Sequence, residues 1–133
     1  MSQLIRAKKK AWKLCSEYIR LKYSDKNGNT RCFTCGKEGH YKEMQAGHFV
    51  AGRTNSILFD ERGIRVQCRS CNVFRYGEAL KFLIQLEKEM GINEARKLRD
   101  ALIVLKNRPK RMFLSDYEEL IEEYKHKIKK LKT

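Results

Sequence analysis

Residues 32–72 begin with Cys-Phe-Thr-Cys (residues 32–35) and end with Cys-Arg-Ser-Cys-Asn (residues 68–72). Two C-x-x-C pairs in one chain predict a single zinc ion, one per chain, bound by four thiolates. A four-thiolate site is tetrahedral and closed, so it leaves no coordination position for a substrate. We therefore expect the zinc to hold the scaffold, while any chemistry lies in the residues that it fixes in place. The predicted zinc ligands are Cys32, Cys35, Cys68 and Cys71.

The segment between the two cysteine pairs is long enough to fold by itself. It contains 32 residues, 36–67, whereas compact zinc ribbons use about 15 to 20. Two apolar runs, residues 44–50 and 57–66, predict a β-hairpin in which residues 51–56 form the connecting loop. With a helix that begins at the second cysteine pair, the pattern predicts an α+β fold: a zinc-bound treble clef that carries a ββα hairpin.

The charge of the chain indicates its partner. The 133 residues include 30 Lys and Arg against 16 Asp and Glu, a formal net charge of +14. Such an excess predicts a polyanionic partner, and DNA or RNA is the expected one. We expect one domain, residues 1–133, and no membrane span, because no apolar run approaches ~20 residues. The cysteine usage and the missing signal-peptide pattern indicate a reducing cytoplasm, with metal rather than disulfides.

A basic helix is predicted before the central segment. Residues 4–23 carry an apolar stripe at helical spacing, and the fifth cysteine, Cys15, lies on it as a buried free thiol. Residues 24–30 are rich in turn formers and end this helix. The basic face of the helix either contacts phosphates or is an ordinary solvated face. The predicted core, residues 31–78, follows.

The remaining residues, 79–133, predict about three helices. Gly91 is expected just after the first of them and Asn93 as the N-cap of the second. The last helix is expected at residues 115–132, where Ser115 and Glu118 suit a capping box.

The last predicted helix has the apolar spacing of a coiled coil. Its apolar residues alternate at intervals of four and three, and its first half is acidic while its second half is basic. Two copies could pair antiparallel through this stripe, which predicts a homodimer; the alternative is a terminal helix that packs on its own domain. The stripe consists of Tyr117, Ile121, Tyr124, Ile128 and Leu131.

Two residues inside the four-cysteine frame are candidates for chemistry. His48, near the end of a predicted strand and preceded by Gly47, can act as a general base that takes a proton from an attacking water. Asn72 offers a carbonyl oxygen to a divalent ion such as Mg²⁺, which phosphodiester hydrolysis requires. The alternatives are a packed histidine and a helix N-cap.

The ordered motifs of this segment resemble a known family. Cys-Phe-Thr-Cys at 32–35, Gln-Ala-Gly-His-Phe at 45–49, Phe-Asp-Glu-Arg at 59–62 and Gln-Cys-Arg-Ser-Cys-Asn at 67–72 resemble the phage lambda NinG (Rap) recombination-protein family. That family is similar in plan to HNH, or ββα-metal, nucleases and to endonuclease VII-type Holliday-junction resolvases. The resemblance covers about residues 30–78, and the flanking helices match only in general character.

The resemblance implies a structure-specific DNA endonuclease that acts on Holliday junctions, D-loops or flaps with catalytic Mg²⁺ or Mn²⁺, in a bacterial host cytoplasm. His48 falls at its general base and Asn72 at its catalytic metal ligand. Many members carry an acidic residue three positions before the histidine, where this chain has Gln45. Glu43 and Asp60 are the nearest carboxylates that could replace it as ligands of the catalytic ion.

Further residues around the predicted site suit DNA contact. Phe74 and Tyr76 either stack on bases exposed at a branch point or belong to the core. Where many family members have an asparagine, this chain has Gly63. Phosphate contacts, which give affinity and register rather than base reading, are expected from Arg53, Arg62, Arg65, Arg69 and Arg75.

Three functions remain open at this point. The first is cleavage of branched recombination intermediates by the divalent-metal mechanism. The second keeps the chemistry but changes the process: an HNH nicking endonuclease used, for example, in phage DNA packaging. The third is a zinc-stabilised DNA-binding protein without catalysis, which the departures at Gln45 and Gly63 favour.

Overall fold

The computed structural model describes residues 1–52 and 54–133 as a mixed fold of helices and two small β-sheets. None of the helices within these residues combines the length and apolar character that crossing a bilayer requires. The elements are α1 (Gln3–Lys22), β1 (Asn29–Arg31), β2 (Glu38–His40), β3 (Gln45–His48), α2 (Asn55–Leu58), β4 (Ile64–Gln67), α3 (Ala79–Met90), α4 (Ile92–Lys106) and α5 (Leu114–Leu131).

The sheet formed by β3 and β4 carries His48 and leads into the turn that contains Asn72. The two strands pair antiparallel, with Gln45 opposite Gln67 and His48 opposite Ile64. The predicted strand pairing is thus confirmed, and it places the start of β3 beside the residue that precedes Cys68. Residues on one face of β3 therefore meet the second cysteine pair.

The strand predicted for residues 57–66 is wrong over its first half. Residues 55–58 form the single helical turn α2, and residues 61–63 form a 3-10 turn before β4 begins. Ile57 and Leu58 are both buried. A helical turn can direct two adjacent side chains into a core, whereas a strand directs them to opposite faces. The burial of both residues therefore overrides their β propensity.

The helix predicted to begin at the second cysteine pair is also wrong in its length. Residues 70–74 form one π-helical turn, and α3 begins only at Ala79. The φ angles of Tyr76, Gly77 and Glu78 are 54°, 87° and 51°, in the left-handed region that an α-helix cannot use. These three residues end the turn and form a loop that leads into α3.

The first cysteine pair lies in the connection between β1 and β2. These short strands pair antiparallel, with Arg31 opposite Glu38. Between them the N–H of Gly36 donates to the carbonyl of Cys32 over 2.9 Å. Gly36 has a φ of 80°, which a residue with a side chain adopts only at a cost. The glycine therefore lets the chain turn back directly after Cys35.

The helices α3 and α4 pack over the far end of β3. Gly91, with a φ of 95°, follows α3 as predicted. The prediction of Asn93 as an N-cap is wrong, because α4 begins at Ile92 and the same glycine caps it. The buried cluster beneath the two helices contains Phe49, Ile57, Phe82, Leu86, Ala95, Leu98 and Leu102.

The first and last helices cover the other face of the sheet. The predicted basic helix is confirmed as α1, and its Cys15 is fully buried between α5 and β4 residues, where burial raises the pKa of the thiol to about 12. Tyr117, Ile121 and Tyr124 of α5 pack against the apolar stripe of α1. The stripe offered for pairing two chains is thus largely covered within the chain, so a homodimer would have to use another surface.

The start of α5 differs from the prediction. The helix begins at Leu114, one residue before the predicted start, so Ser115 lies inside it. The carboxylate of Asp116 accepts a hydrogen bond of 2.7 Å from the N–H of Phe113. The bond that Glu118 was expected to make is therefore made by Asp116, because the helix starts earlier than the Ser115 signal indicates.

Candidate functional site

The four predicted cysteines converge into one cluster. Their sulfur atoms all lie within 4.8 Å of one another, and Cys35 Sγ lies 3.8 Å from Cys68 Sγ. A tetrahedral zinc ion with Zn–S bonds of about 2.3 Å requires sulfur separations of about 3.8 Å. The donor set and its spacing therefore fit one zinc ion. Across residues 1–52 and 54–133, this is the one group of three or more His, Cys, Asp or Glu residues close enough to hold a metal.

Hydrogen bonding prepares one side of this cluster for metal binding. Burial raises the pKa of Cys32, but the Thr34 hydroxyl and nearby backbone N–H groups outweigh it and bring the pKa to about 6. Burial raises the pKa of Cys71 to about 12. The backbone N–H of Cys71 points to Cys68 Sγ over 3.5 Å. A divalent cation supplies the positive charge that four adjacent thiolates need.

Gln67 joins the cysteine cluster to the sheet. Its Nε2 donates to Thr34 Oγ1 over 3.1 Å and to the carbonyl of Gly77 over 2.9 Å. Its Oε1 is buried without a hydrogen-bond donor among the described residues and faces Gly47, where a Cβ atom would lie only 1.8 Å from it. The glycine before His48 is therefore required by the close approach of this buried amide.

The structure brings Gln45 and Asn72 into direct contact. Asn72 Nδ2 donates to Gln45 Oε1 over 2.7 Å. Asn72 Oδ1 faces Gly47, where an added Cβ atom would lie 3.0 Å from it. The backbone N–H of Asn72 donates to the carbonyl of Cys68 over 2.9 Å. The cysteine cluster thus fixes Asn72 against the start of β3, but the pair it forms there consists of two neutral amides.

His48 lies at the last position of β3 and is held from two sides. Its ring stacks on Trp12 of α1 with centroids 5.0 Å apart and planes at 26°, and its Nε2 lies 3.0 Å from the carbonyl oxygen of Leu58. Because successive strand residues alternate in direction, His48 projects from the face opposite to Gln45. The two candidate catalytic regions therefore lie at opposite ends of one strand, with His48 against α1 at its end and Asn72 beside Gln45 at its start.

The backbone at Gly63 supports the residue that follows the histidine. The N–H of Phe49 donates to the Gly63 carbonyl over 2.7 Å. A Cβ atom on Gly63 would lie 2.6 Å from Leu102 Cδ1, so the glycine also allows α4 to approach. In this chain a backbone hydrogen bond from Phe49 to Gly63 therefore steadies the end of β3.

Of the two carboxylates expected to replace an acidic ligand, Asp60 is held in an ion pair and Glu43 is exposed. Both oxygens of Asp60 accept hydrogen bonds from the Arg62 guanidinium, at 2.9 and 2.7 Å. These bonds lower the pKa of Asp60. Glu43 is exposed at the end of the turn before β3. Asp60 is thus an ion-pair partner of Arg62, and the metal-ligand roles of Asp60 and Glu43 stay predictions.

The predicted phosphate contacts divide into three groups. Arg65 is only 5% exposed and forms a 2.8 Å ion pair with Glu89, so its assignment as a phosphate contact is corrected to a structural one. Arg69 and Arg75 are exposed, as is Arg62 in its pair with Asp60. Arg53 lies outside the described residues.

Three supporting residues were missed from the sequence: Trp12, Leu58 and Gln67. Trp12 was assigned only to the apolar stripe of α1, and Leu58 acts through its backbone carbonyl, which no side-chain pattern reveals. Gln67 carried a usable signal, because it is a polar residue in a fully buried strand next to a zinc ligand. A buried amide of this kind needs partners, and here they come from the cysteine turn and Gly77.

The fold and site together define a small protein of helices and two-stranded sheets, built around four cysteines that can hold a zinc ion. The chain belongs to the family described as Bacteriophage Lambda NinG protein, whose model matches residues 3–133. The family predicted from residues 30–78 is therefore confirmed, and the match also includes the flanking helices. No curated protein and no solved structure matches the chain.

Proposed function

We propose that this chain is a structure-specific DNA endonuclease that hydrolyses phosphodiester bonds in branched recombination intermediates. The observation that carries the proposal is the arrangement around β3. A histidine stands at the end of the strand, and an asparagine that directly follows the fourth cysteine stands beside the start of the same strand. This order of parts is the one that the resemblance to HNH, or ββα-metal, nucleases implies, and it supports the proposal.

His48 is the proposed general base. A carbonyl oxygen can only accept a hydrogen bond, so His48 Nε2 carries the proton that it shares with Leu58 O. In the neutral ring the lone pair is then on Nδ1, which takes the proton from the attacking water. Stacking on Trp12 limits rotation of the ring. A general base needs a fixed orientation of this kind, because it must lie within hydrogen-bond reach of the proton before its pKa matters.

Asn72 and Gln45 are the proposed holders of a catalytic Mg²⁺ or Mn²⁺. Amide oxygens are hard donors that suit such ions, but the two amides contribute no charge. They would hold the ion together with DNA phosphate oxygens and water. When bound, the ion neutralises charge that develops on the phosphate oxygens. The residues themselves orient one another through the 2.7 Å hydrogen bond.

The charge of the chain supports DNA as the substrate. A net charge of +14 favours a polyanion, and the exposed Arg69 and Arg75 lie next to Asn72 in the chain. No element within residues 1–52 and 54–133 has the pattern of a recognition helix, so we expect recognition of DNA shape. A homodimer would let two sites nick two symmetric strands of a junction, and this remains part of the proposal.

One observation favours a second candidate, a non-catalytic zinc-stabilised DNA-binding protein. Asn72 and Gln45 are hydrogen-bonded to each other, and the described residues place no carboxylate cluster beside them. A nicking endonuclease of another phage process, such as packaging, keeps the catalytic assignments and differs only in substrate.

A cleavage assay separates the three functions. The zinc-loaded chain is incubated with Mg²⁺ or Mn²⁺ and a four-way junction, a flap, a linear duplex and a single strand. We expect faster cleavage of the branched substrates, and we expect His48→Ala to lower the rate about 100- to 10,000-fold. His126→Ala is the matched control, because His126 is exposed on α5.

The outcomes have distinct meanings. Tight binding without cleavage of any substrate would leave only the non-catalytic protein. Equal cleavage of linear duplex would remove the branch preference and favour the nicking enzyme. Wild-type cleavage rates in His48→Ala would remove the assigned general base.

A further inference from the structure

The loop between the second cysteine pair and α3 displays two aromatic side chains to solvent. Residues 73–78, here called the aromatic loop, include Phe74, which is 66% exposed, and Tyr76, which is 90% exposed. The value for Tyr76 is the highest of any large apolar or aromatic side chain among the described residues. A folded chain gains free energy by burying aromatic rings, so two adjacent exposed rings indicate a surface with a partner.

The backbone of the aromatic loop is held in place, although its conformation is unfavourable. Tyr76 has a φ of 54°, a left-handed conformation that is a genuine outlier for a bulky residue and that clusters at functional sites. The N–H of Gly77 donates to the Cys71 carbonyl over 2.8 Å, and Gln67 Nε2 donates to the Gly77 carbonyl over 2.9 Å. The residue next to Tyr76 is thus tied to a predicted zinc ligand and to a buried strand. The loop therefore presents its rings from a fixed base.

Positive charge surrounds the two rings. The Arg69 guanidinium lies over the Phe74 ring at 5.6 Å, and Arg75 is exposed between the two aromatic residues. A planar cation beside exposed rings suits a nucleic acid strand, whose phosphates pair with arginine while its bases stack on the rings. A second copy of this chain is a poor partner for the same surface, because the exposed Arg69 and Arg75 of the two copies would repel each other.

The aromatic loop also lies beside the candidate catalytic residues. Phe74 is two residues after Asn72, and a Cβ atom on Gly77 would lie 3.8 Å from the carbonyl oxygen of His48. A DNA base stacked on Tyr76 or Phe74 would thus belong to a DNA strand whose phosphates pass the end of β3.

We propose that the aromatic loop is a base-stacking element that binds unpaired bases of DNA at branch points or single-stranded ends. Tyr76 and Phe74 are the stacking residues, while Arg69 and Arg75 contact the flanking phosphates. This inference rests on the DNA-binding part of the proposed function and adds the feature that distinguishes branched from fully paired DNA. Fully paired duplex keeps its bases stacked on each other, so it offers the loop nothing beyond its phosphates.

Binding measurements on the full zinc-loaded chain test the proposal, without Mg²⁺ or Mn²⁺ so that cleavage does not interfere. Fluorescence anisotropy gives the affinity for a labelled single strand, a four-way junction with unpaired bases at its centre, and a linear duplex. We expect Tyr76→Ala to weaken binding to the single strand and the junction about 5- to 150-fold. Binding to the duplex should change less than about twofold, and Tyr76→Phe should restore the affinity because it keeps the ring.

A matched control exists elsewhere in the chain. Phe113 is 56% exposed, and the Arg111 guanidinium lies over its ring at 5.1 Å, so this pair repeats the chemistry of Arg69 and Phe74 before α5. Phe113→Ala should leave all three affinities unchanged. A second readout places 2-aminopurine among the unpaired bases. The fluorescence of 2-aminopurine should fall when the DNA binds wild type and should not fall when it binds Tyr76→Ala.

Each contrary outcome has its own meaning. Equal loss of affinity for duplex and single strand, or no loss at all in Tyr76→Ala and Phe74→Ala, would overturn the stacking role while the proposed function stands. A wild-type dimer that dissociates in Tyr76→Ala, with unchanged DNA affinity, would make the loop a self-association surface and overturn the proposal. If the wild type binds none of the three DNAs, the proposed function and this inference both fail.

Discussion

The four-cysteine cluster and the candidate site at β3 differ in how completely their residue types determine their chemistry. The cluster consists of four soft donors at the mutual distances that zinc requires. The site at β3 consists of Gln45, His48 and Asn72, which are held by stacking, by a backbone carbonyl and by each other. Zinc binding can therefore be assigned to the cluster from donor identity and spacing, whereas the role of the site at β3 depends on supporting contacts.

The largest expected effect comes from breaking the cysteine cluster. Cys71→Ser removes one thiolate of a buried set, and chelation removes the ion. Because metal binding to such a site contributes directly to folding, we expect the free energy of unfolding to fall by on the order of 5 kcal/mol or more. Urea unfolding followed by circular dichroism measures this. The matched control is Cys15→Ala, a buried cysteine outside the cluster, which should keep about one zinc per chain by elemental analysis; equal zinc loss in both variants would contradict the assignment of the cluster.

The next effect concerns the contact between Gly47 of β3 and Gln67, which joins the cysteine cluster to the sheet. A Cβ atom in Gly47→Ala would lie 1.8 Å from Gln67 Oε1, and Gln67 is held by Thr34 and Gly77. We expect a loss of about 2–3 kcal/mol in the free energy of unfolding. Gly39→Ala is the control, because its Cβ would meet the ends of two flexible side chains, Met44 Cε at 3.1 Å and Glu43 Oε2 at 3.5 Å. Equal stability of the two variants would show that the Gln67 amide does not constrain β3.

A smaller effect is expected on Mn²⁺ affinity when the neutral donor set at β3 gains a charge. Gln45→Glu keeps the side-chain length and lets a carboxylate accept the hydrogen bond from Asn72. Because affinity for hard cations rises with ligand charge, we expect Mn²⁺ to bind about tenfold more tightly, measured by calorimetry on the zinc-loaded chain. Gln45→Ala should show no such gain. Unchanged Mn²⁺ affinity in Gln45→Glu would place the catalytic ion elsewhere or remove it.

The smallest effect is the pH dependence of the pair that Asp60 forms with Arg62. The hydrogen bonds from Arg62 lower the pKa of Asp60 below its ordinary 3.8. The pair therefore stabilises the fold above that pH, and its contribution is lost as the pH falls through the native pKa. Arg62 is largely exposed, so Asp60→Asn should cost only ~0.5 kcal/mol near neutral pH and nothing in strong acid. A difference that persists in strong acid would indicate a different role for Asp60.

Much of the fold follows from patterns that are local in sequence. The cysteine spacing, the helix at residues 4–23 and the paired strands depend on donor identity and periodicity, and the structure has them. The turn α2 could not be predicted, because the burial of Ile57 depends on α4 and other distant elements. The α5 stripe shows the same limit: its spacing fits a partner helix but does not specify whether that helix is α1 or a second chain.

The candidate site follows a similar division. His48 and Asn72 could be chosen from their position within the cysteine frame. The carbonyl of Leu58, the ring of Trp12 and the ion pair of Arg65 with Glu89 could not, because each joins residues from different elements. Backbone groups carry no residue-type signal, and an arginine has the same letter whether it is buried in an ion pair or free to contact phosphate.

We propose that the cysteine cluster positions the proposed catalytic residues and takes no part in the chemistry. Zinc content and junction cleavage, measured on the same samples of wild type and Asn72→Ala, test it most directly. The account predicts about one zinc per chain in both proteins and cleavage lowered at least about 100-fold in Asn72→Ala. Loss of zinc together with activity, or wild-type cleavage by the variant, would contradict it.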